Sequence, residues 1–202
     1  MKLTLDFLEE KKACKSGIDW FSKQSETDPI KLIKNWIDKK KHLDWANWLI
    51  VRVMEYRQYV EYAIFAAEQV IDIFDKKYPD DKRPRLAIDA AKKCLENPSA
   101  ENKKAAAAAD YAAAAASYAA ASYAAYAAAY AAYAAVYAAA SYAAYAAYAA
   151  VYAAASYAAY AAAYAAYAAA YTAAAADAAN AYKNTKTEMQ IKILKYGLEI
   201  LK

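Results

Sequence analysis

Tryptophan and arginine side chains are the residues of this chain best suited to binding another molecule. Trp45 and Trp48 belong to the apolar face of a predicted helix, and Arg52 falls on the same helix. Aromatic and arginine side chains are enriched among the residues that dominate binding energy at protein interfaces. Two further arginines can pair with carboxylates or phosphates. The predicted binding site comprises Trp45, Trp48, Arg52, Tyr56, Arg83 and Arg85.

A purely structural interpretation of these residues stays open at this point. Arg52 lies near Glu55 in the sequence, so it can form an ordinary ion pair on a helix surface. Large aromatic residues at helical spacing are also typical of a protein core. That second interpretation applies to Trp36, Trp45 and Trp48.

Side chains that carry out catalysis are scarce in this sequence. His42 is the single histidine, and its place in a predicted loop favours a solvated side chain over a general base. Cys14 and Cys94 together with one histidine are too few for a typical zinc site, and we interpret them as free thiols. The two glycines stand apart and cannot form a phosphate-binding loop. We therefore predict a protein that is not an enzyme and that uses no metal or cofactor.

The composition restricts the fold to helices. The chain has 202 residues, 61% of them apolar, with 22 Tyr but only 2 Gly and 4 Pro. Sandwiches and barrels of β-strands need many tight turns, which so few glycines cannot supply. The apolar content and a net charge of only +4 exclude a disordered chain. We predict an all-α protein with a helical head domain (1–104), an alanine–tyrosine tract (105–182) and a C-terminal amphipathic helix (183–202).

The head is predicted to contain about five helices. Asp28 precedes a proline and is expected to cap one helix, and Asp44 is expected to cap the next. The second of these helices is long, so a kink or short interruption is expected near Tyr56. Ser99 is the predicted N-cap of the helix that leads into the tract.

The tract is a helical repeat, because alanine has the highest helix propensity and neither glycine nor proline interrupts it. Its tyrosines recur three and four residues apart, in blocks that each open with Ser-Tyr at Ser122, Ser141 and Ser156. One straight helix over 105–182 would be about 117 Å long and would leave the tyrosines in water. We therefore favour short helices that pack together, with bends at the Ser-Tyr steps.

The tail carries an apolar stripe that is predicted to dock on the rest of the bundle. Its members are Met189, Ile193, Leu194, Leu198 and Leu201. The tract lacks basic residues that would attract phosphates, so no nucleic-acid partner is expected. Its tyrosine hydroxyls would need partners in hydrocarbon, so no membrane role is expected. The N-terminal residues do not form a signal peptide, and we expect a cytoplasmic protein.

Two motifs in the head resemble a known family. They are the Asp44–Ile50 segment, DWANWLI, and the Arg83–Ala91 segment, RPRLAIDAA, which precede a long alanine-rich half. In this order they are similar to bacterial and phage proteins labelled as immunity proteins. The resemblance implies a non-catalytic protein that binds a partner, and it implies no catalytic residues.

Three functions follow from these observations. The first is a non-enzymatic protein that neutralises a protein partner, such as a toxin or a defence component, through its head. The second is a sponge for a small anionic, nucleotide-like ligand, lined by tyrosines and by Arg52, Arg83 or Arg85. The third is a structural protein that forms homo-oligomers through its tyrosine stripe.

Overall fold

A computed structural model of the chain describes residues 1–120, 123–137, 140–167 and 174–202. Every regular element within these ranges is an α-helix, which confirms the predicted all-α class. The helices are α1 (Leu5–Glu10), α2 (Lys15–Phe21), α3 (Pro29–Asp38), α4 (Leu43–Val53), α5 (Tyr56–Glu68), α6 (Ile71–Lys77), α7 (Arg83–Glu96), α8 (Ala100–Ala120), α9 (Tyr123–Tyr137), α10 (Ala140–Tyr167) and α11 (Ala174–Ile200).

Residues 1–104 form seven complete helices and the start of α8, against about five predicted helices. The long apolar pattern that was predicted as one interrupted helix is divided into α4, α5 and α6. The first division falls at Met54, just before Tyr56, and this confirms the expected interruption.

Capping side chains begin several of these helices. Asp28 accepts hydrogen bonds from the backbone N–H groups of Ile30 and Lys31, at 2.8 and 3.2 Å, which confirms it as an N-cap. Ser99 accepts the N–H of Asn102 and starts α8 as predicted. The prediction for Asp44 is wrong, because α4 begins one residue earlier and Asp44 lies in its first turn.

The tract forms separate packed helices, which confirms the prediction that was favoured over a single long helix. Tyr123 lies against Tyr152 and Tyr130 lies against Tyr145, so α9 and α10 run antiparallel. The expected bend at Ser156 is wrong, because that residue lies inside α10 and is exposed. Its alanine neighbours favour continuous helix, and no turn-forming residue stands there. Ser141 lies in the first turn of α10, and Ser122 lies outside the described residues.

Head, tract and tail share one apolar core. Alanines of α9 and α10 are buried against α5, while α9 also packs on α7. The Tyr56 hydroxyl donates a hydrogen bond of 2.7 Å to the carbonyl of Ala135 and so ties α5 to α9. Ile193 and Leu194 of α11 are buried, which confirms that the tail docks on the bundle. This last helix runs without interruption across the predicted boundary between 182 and 183.

The length and hydropathy of the described helices were compared with those of membrane-spanning helices. None of those searched in the ranges above is both long enough and apolar enough to cross a bilayer.

Candidate functional site

A cavity of about 380 Å³ lies between the first four helices. Known small-molecule sites occupy about 300–1,000 Å³, so the cavity can hold a ligand or a large side chain. Leucines and alanine supply part of its wall, and the aromatic part consists of Trp20, Phe21, Trp36, Trp45 and Trp48. We call it the tryptophan cavity.

Three tryptophans from three different helices meet at this cavity. The ring centroids of Trp20 and Trp36 are 5.3 Å apart, and Trp45 lies 6.1 and 6.3 Å from them. The rings are tilted by 57° to 74° to one another, and Trp45 meets the other two rings edge to face, a favourable arrangement of aromatic quadrupoles. The cavity wall is therefore fixed by ring packing between α2, α3 and α4.

Two residues with left-handed backbone conformation shape the turns beside these rings. His42 has a φ of 55°, and its ring stacks on Trp45 at 4.4 Å with an interplanar angle of 11°. Lys12 has a φ of 58° in the connection between α1 and α2, where its N–H donates to the carbonyl of Glu9. Both turns bring a helix of the cavity wall back onto its neighbour, and Lys12 itself lines the cavity.

The polar side chains of the cavity are Lys12, Cys14 and Asp44. The side-chain amide of Gln190 donates a hydrogen bond of 2.6 Å to the Asp44 carboxylate. Cys14 is an exposed free thiol, whereas Cys94 is a buried free thiol elsewhere in the core. The wall is otherwise apolar, so bound groups would be held mainly by burial of hydrocarbon surface.

Arg52 extends the predicted site along α4. Its guanidinium carbon lies 4.1 Å from the centre of the Trp48 ring, and its Nη1 donates a hydrogen bond of 2.8 Å to the carbonyl of Trp48. Burial lowers the pKa of Arg52, and the nearby Tyr145 hydroxyl opposes that shift. The structure thus places Trp45 and Trp48 in the cavity wall, and Arg52 packs on Trp48.

The other three predicted site residues lie elsewhere. The Tyr56 hydroxyl is engaged by Ala135 and lies 3.8 Å from the Cys94 sulfur, and burial raises its pKa. The Arg83 guanidinium donates two hydrogen bonds to Asp81, at 2.8 and 2.7 Å.

Arg85 is held in the same way by acidic residues of α6. It donates to Asp75 at 2.7 Å and to Asp72 at 2.8 Å. Its partners, like those of Arg83, are unrelated to the contacts of Arg52 around Trp48. The predicted set of six is therefore divided between the cavity, the core and the first turn of α7.

Comparison of this chain with protein-family models, with curated proteins and with solved structures finds no match. The chemistry of the cavity is accordingly the main guide to function. Within the described ranges, no cluster of three His, Cys, Asp or Glu side chains is placed to hold a metal ion.

Sequence inspection missed the contribution of the first twenty residues to this site. Trp20 and Lys12 lie in segments too short to show a helical period, so only the packing of α2 on α3 and α4 reveals their position. Trp36 was interpreted as a core residue, and it is both buried and part of the cavity wall. The usable signal for Trp20 was its residue type alone.

Outside the tryptophan cavity, a cluster of polar side chains joins α10 to α11. The Lys186 ammonium donates to the Tyr152 hydroxyl at 3.2 Å and lies 4.7 Å from the centre of the same ring. Hydrogen bonds from Tyr148 and Lys186 lower the pKa of Tyr152. The hydrogen bond between Tyr148 and Tyr152 also raises the pKa of Tyr148 to about 12. The cluster binds the tail to the tract.

Proposed function

We propose that this protein is a non-enzymatic binding protein that neutralises a protein partner, and that the tryptophan cavity with Arg52 is its contact site. The observation that carries this proposal is an apolar cavity of about 380 Å³ with half-buried tryptophans at its wall and an arginine beside it. Residues of this kind in a desolvated pocket dominate interface energetics.

The position of Arg52 supports the same proposal. Its ring contact and backbone hydrogen bond hold the side chain in one place before any partner arrives. A side chain ordered in advance loses less conformational entropy on binding. An apolar partner side chain in the cavity and an acidic group near Arg52 would satisfy both features together.

The resemblance to immunity proteins adds support from the sequence. The DWANWLI motif that carries it contributes Trp45 and Trp48 to the cavity wall. We also place this activity in the cytoplasm, because an exposed free thiol at Cys14 suits a reducing compartment.

Partner capture by matched variants tests the proposal. Tagged wild-type protein, Trp48→Ala and Leu86→Ala are isolated from the native host and weighed by native mass spectrometry. Leu86 is a suitable control because it is 58% exposed on α7, away from the cavity. We expect one partner at fixed stoichiometry with wild type and Leu86→Ala, and at least about tenfold less with Trp48→Ala, a loss typical of a hot spot.

Suppression of the partner's harmful activity completes the test. Co-expression with the wild-type chain should restore growth of cells that make the captured protein, and co-expression with Trp48→Ala should not. Equal capture by the folded Trp48→Ala variant, or capture without any effect on the partner's activity, would contradict the proposal.

Self-association is a second candidate function, favoured by one specific observation. Tyr123, Tyr145, Tyr148 and Tyr157 of α9 and α10 are about half exposed, although large aromatic rings are usually covered. We propose that these exposed rings contact a second copy if the protein is structural. A native mass at a multiple of the single chain, unaffected by Trp48→Ala, would support this function over the first.

A further inference from the structure

Hydrogen-bond donors outnumber acceptors among the side chains of the tryptophan cavity. Each of its four tryptophans carries one indole N–H donor and no acceptor, and Lys12 carries an ammonium group. The only carboxylate in the wall is that of Asp44. A ligand that complements this wall must therefore bring acceptors.

Two of these donors have no partner within the described part of the chain. Trp36 Nε1 is buried and has no hydrogen-bond acceptor there. Lys12 forms no ion pair with a described carboxylate, whereas its neighbour Lys11 pairs with Glu10 at 2.8 Å. Lys12, an exposed residue of the cavity wall, thus carries an unpaired positive charge next to an apolar interior.

The Asp44 carboxylate already accepts a hydrogen bond from another part of the chain. Its Oδ1 accepts the hydrogen bond from Gln190, and its charge helps to raise the pKa of Lys186 on α11. An incoming anion near Lys12 therefore meets a carboxylate whose field is partly balanced by other groups.

We propose that the tryptophan cavity binds a small apolar carboxylate, with its hydrocarbon body against the tryptophan rings and its carboxylate on the Lys12 ammonium. This site goes beyond partner binding, since it takes a small molecule and needs no second protein. It also differs from the predicted sponge, in which tyrosines and Arg52, Arg83 or Arg85 would hold the anion, because here Lys12 holds it.

Three ligands with one aromatic body and different head groups test the charge preference. Naphthylacetate, naphthylacetamide and naphthylmethylammonium are titrated into the full-length protein by isothermal calorimetry. A charge-assisted hydrogen bond is about twice as strong as a neutral one. We therefore expect naphthylacetate to bind about tenfold more tightly than the amide, and the ammonium to bind most weakly.

A pair of lysine variants assigns the preference to one residue. Lys12→Gln should reduce naphthylacetate affinity to that of the amide and leave amide binding unchanged. Lys11→Gln, one residue away and already ion-paired, should retain the full preference. Glutamine and lysine have the same branching at Cβ, so the left-handed backbone at position 12 is equally strained in both.

Protection of Cys14 from alkylation locates the ligand. Cys14 lines the cavity and is exposed, while Cys94 is fully buried, so iodoacetamide should add one group to the folded chain. Saturating naphthylacetate should slow that reaction, as followed by intact mass, at least about fivefold at an occupancy above four-fifths.

Four results would each overturn this inference: no binding of naphthylacetate, tightest binding of the ammonium, an undiminished preference in Lys12→Gln, or unchanged alkylation of Cys14 at saturation. All of these measurements use the isolated chain, so they leave the partner proposal intact, which depends on the separate capture experiment with Trp48→Ala.

Discussion

Asp110 is a carboxyl group enclosed in the alanine-rich part of the molecule. It is only 6% exposed, and burial raises its pKa to about 6. The charged form is disfavoured because water can no longer solvate it. A carboxylate at this position therefore opposes folding at neutral pH.

Replacement of Asp110 by asparagine should stabilise the protein in a pH-dependent way. The folded-state pKa lies above the unfolded one of about 3.8, so the neutral carboxyl favours the folded state fully below about pH 4. That contribution is lost as the pH rises through about 6. We expect Asp110→Asn to raise the free energy of unfolding by about 1–3 kcal/mol at pH 8 and by much less at pH 4.

Urea denaturation at the two pH values measures this difference. Asp80→Asn is the matched control, because Asp80 is exposed in the turn before α7 and should change stability little at either pH. An equal gain for Asp110→Asn at both pH values would refute the assignment of the cost to ionisation.

At the scale of helices, α11 approaches α4 and α5 closely at Gly197. A Cβ placed on Gly197 would lie 2.6 Å from Ile50 Cδ1 and 2.8 Å from Tyr62 Cε2. Ile50 and Tyr62 are fully buried, and the Tyr62 hydroxyl donates to the Asn47 side chain at 2.8 Å. These neighbours have little freedom to move away.

Gly197→Ala should therefore destabilise the protein by about 1–3 kcal/mol, the usual cost of overpacking a core. Alanine gains about 1 kcal/mol of helix propensity, which is too small to reverse the effect. Gly17→Ala in α2 provides the control, because its nearest contact would be the Cys14 sulfur at 3.3 Å. Thermal unfolding should show a lower Tm for the first variant alone; a Tm at or above that of wild type would disprove the steric account.

Helix positions were predictable where local chemistry specifies them. Asp28 and Ser99 were identified as caps because their side chains satisfy free N–H groups next to a proline. The start of α4 was not predictable, because it depends on the left-handed backbone of His42, a conformation that this residue type does not require.

The candidate site was predictable only along a single helix. Trp45, Trp48 and Arg52 share α4, so their neighbourhood follows from helical spacing. Trp20 and Lys12 reach the cavity through tertiary packing, which composition and periodicity do not encode. Arg83 and Arg85 were misleading because the carboxylates that neutralise them lie in the preceding turn and in α6.

At the scale of the whole molecule, packing of the tract makes the chain compact. Separate helices joined into one core predict a radius of gyration of about 16–17 Å for 202 residues. A single tract helix would instead add a rod of about 117 Å. Small-angle scattering at several concentrations distinguishes these shapes, and a maximum dimension above about 100 Å in the monomer would contradict the packed arrangement.

Hydrogen bonds from residues outside the tract help to determine the register of its helices. The Ala135 carbonyl accepts from both the Tyr56 hydroxyl and the Cys94 thiol, and these two bonds identify one position on α9 among many similar ones. The Lys186–Tyr152 bond does the same for α10. Unique alignment of a repetitive tract therefore depends on residues outside it.

The return of α11 to the head also determines when folding can finish during synthesis. The bonds of Gln58, Glu61 and Asp44 to this helix join residues 142, 135 and 146 positions apart. A ribosome that has made the head and the whole tract still holds a chain in which Ile50 and Tyr62 lack their cover. Cotranslational chaperones would meet that apolar surface until α11 emerges, so a chain truncated within α11 should be aggregation-prone rather than merely shortened.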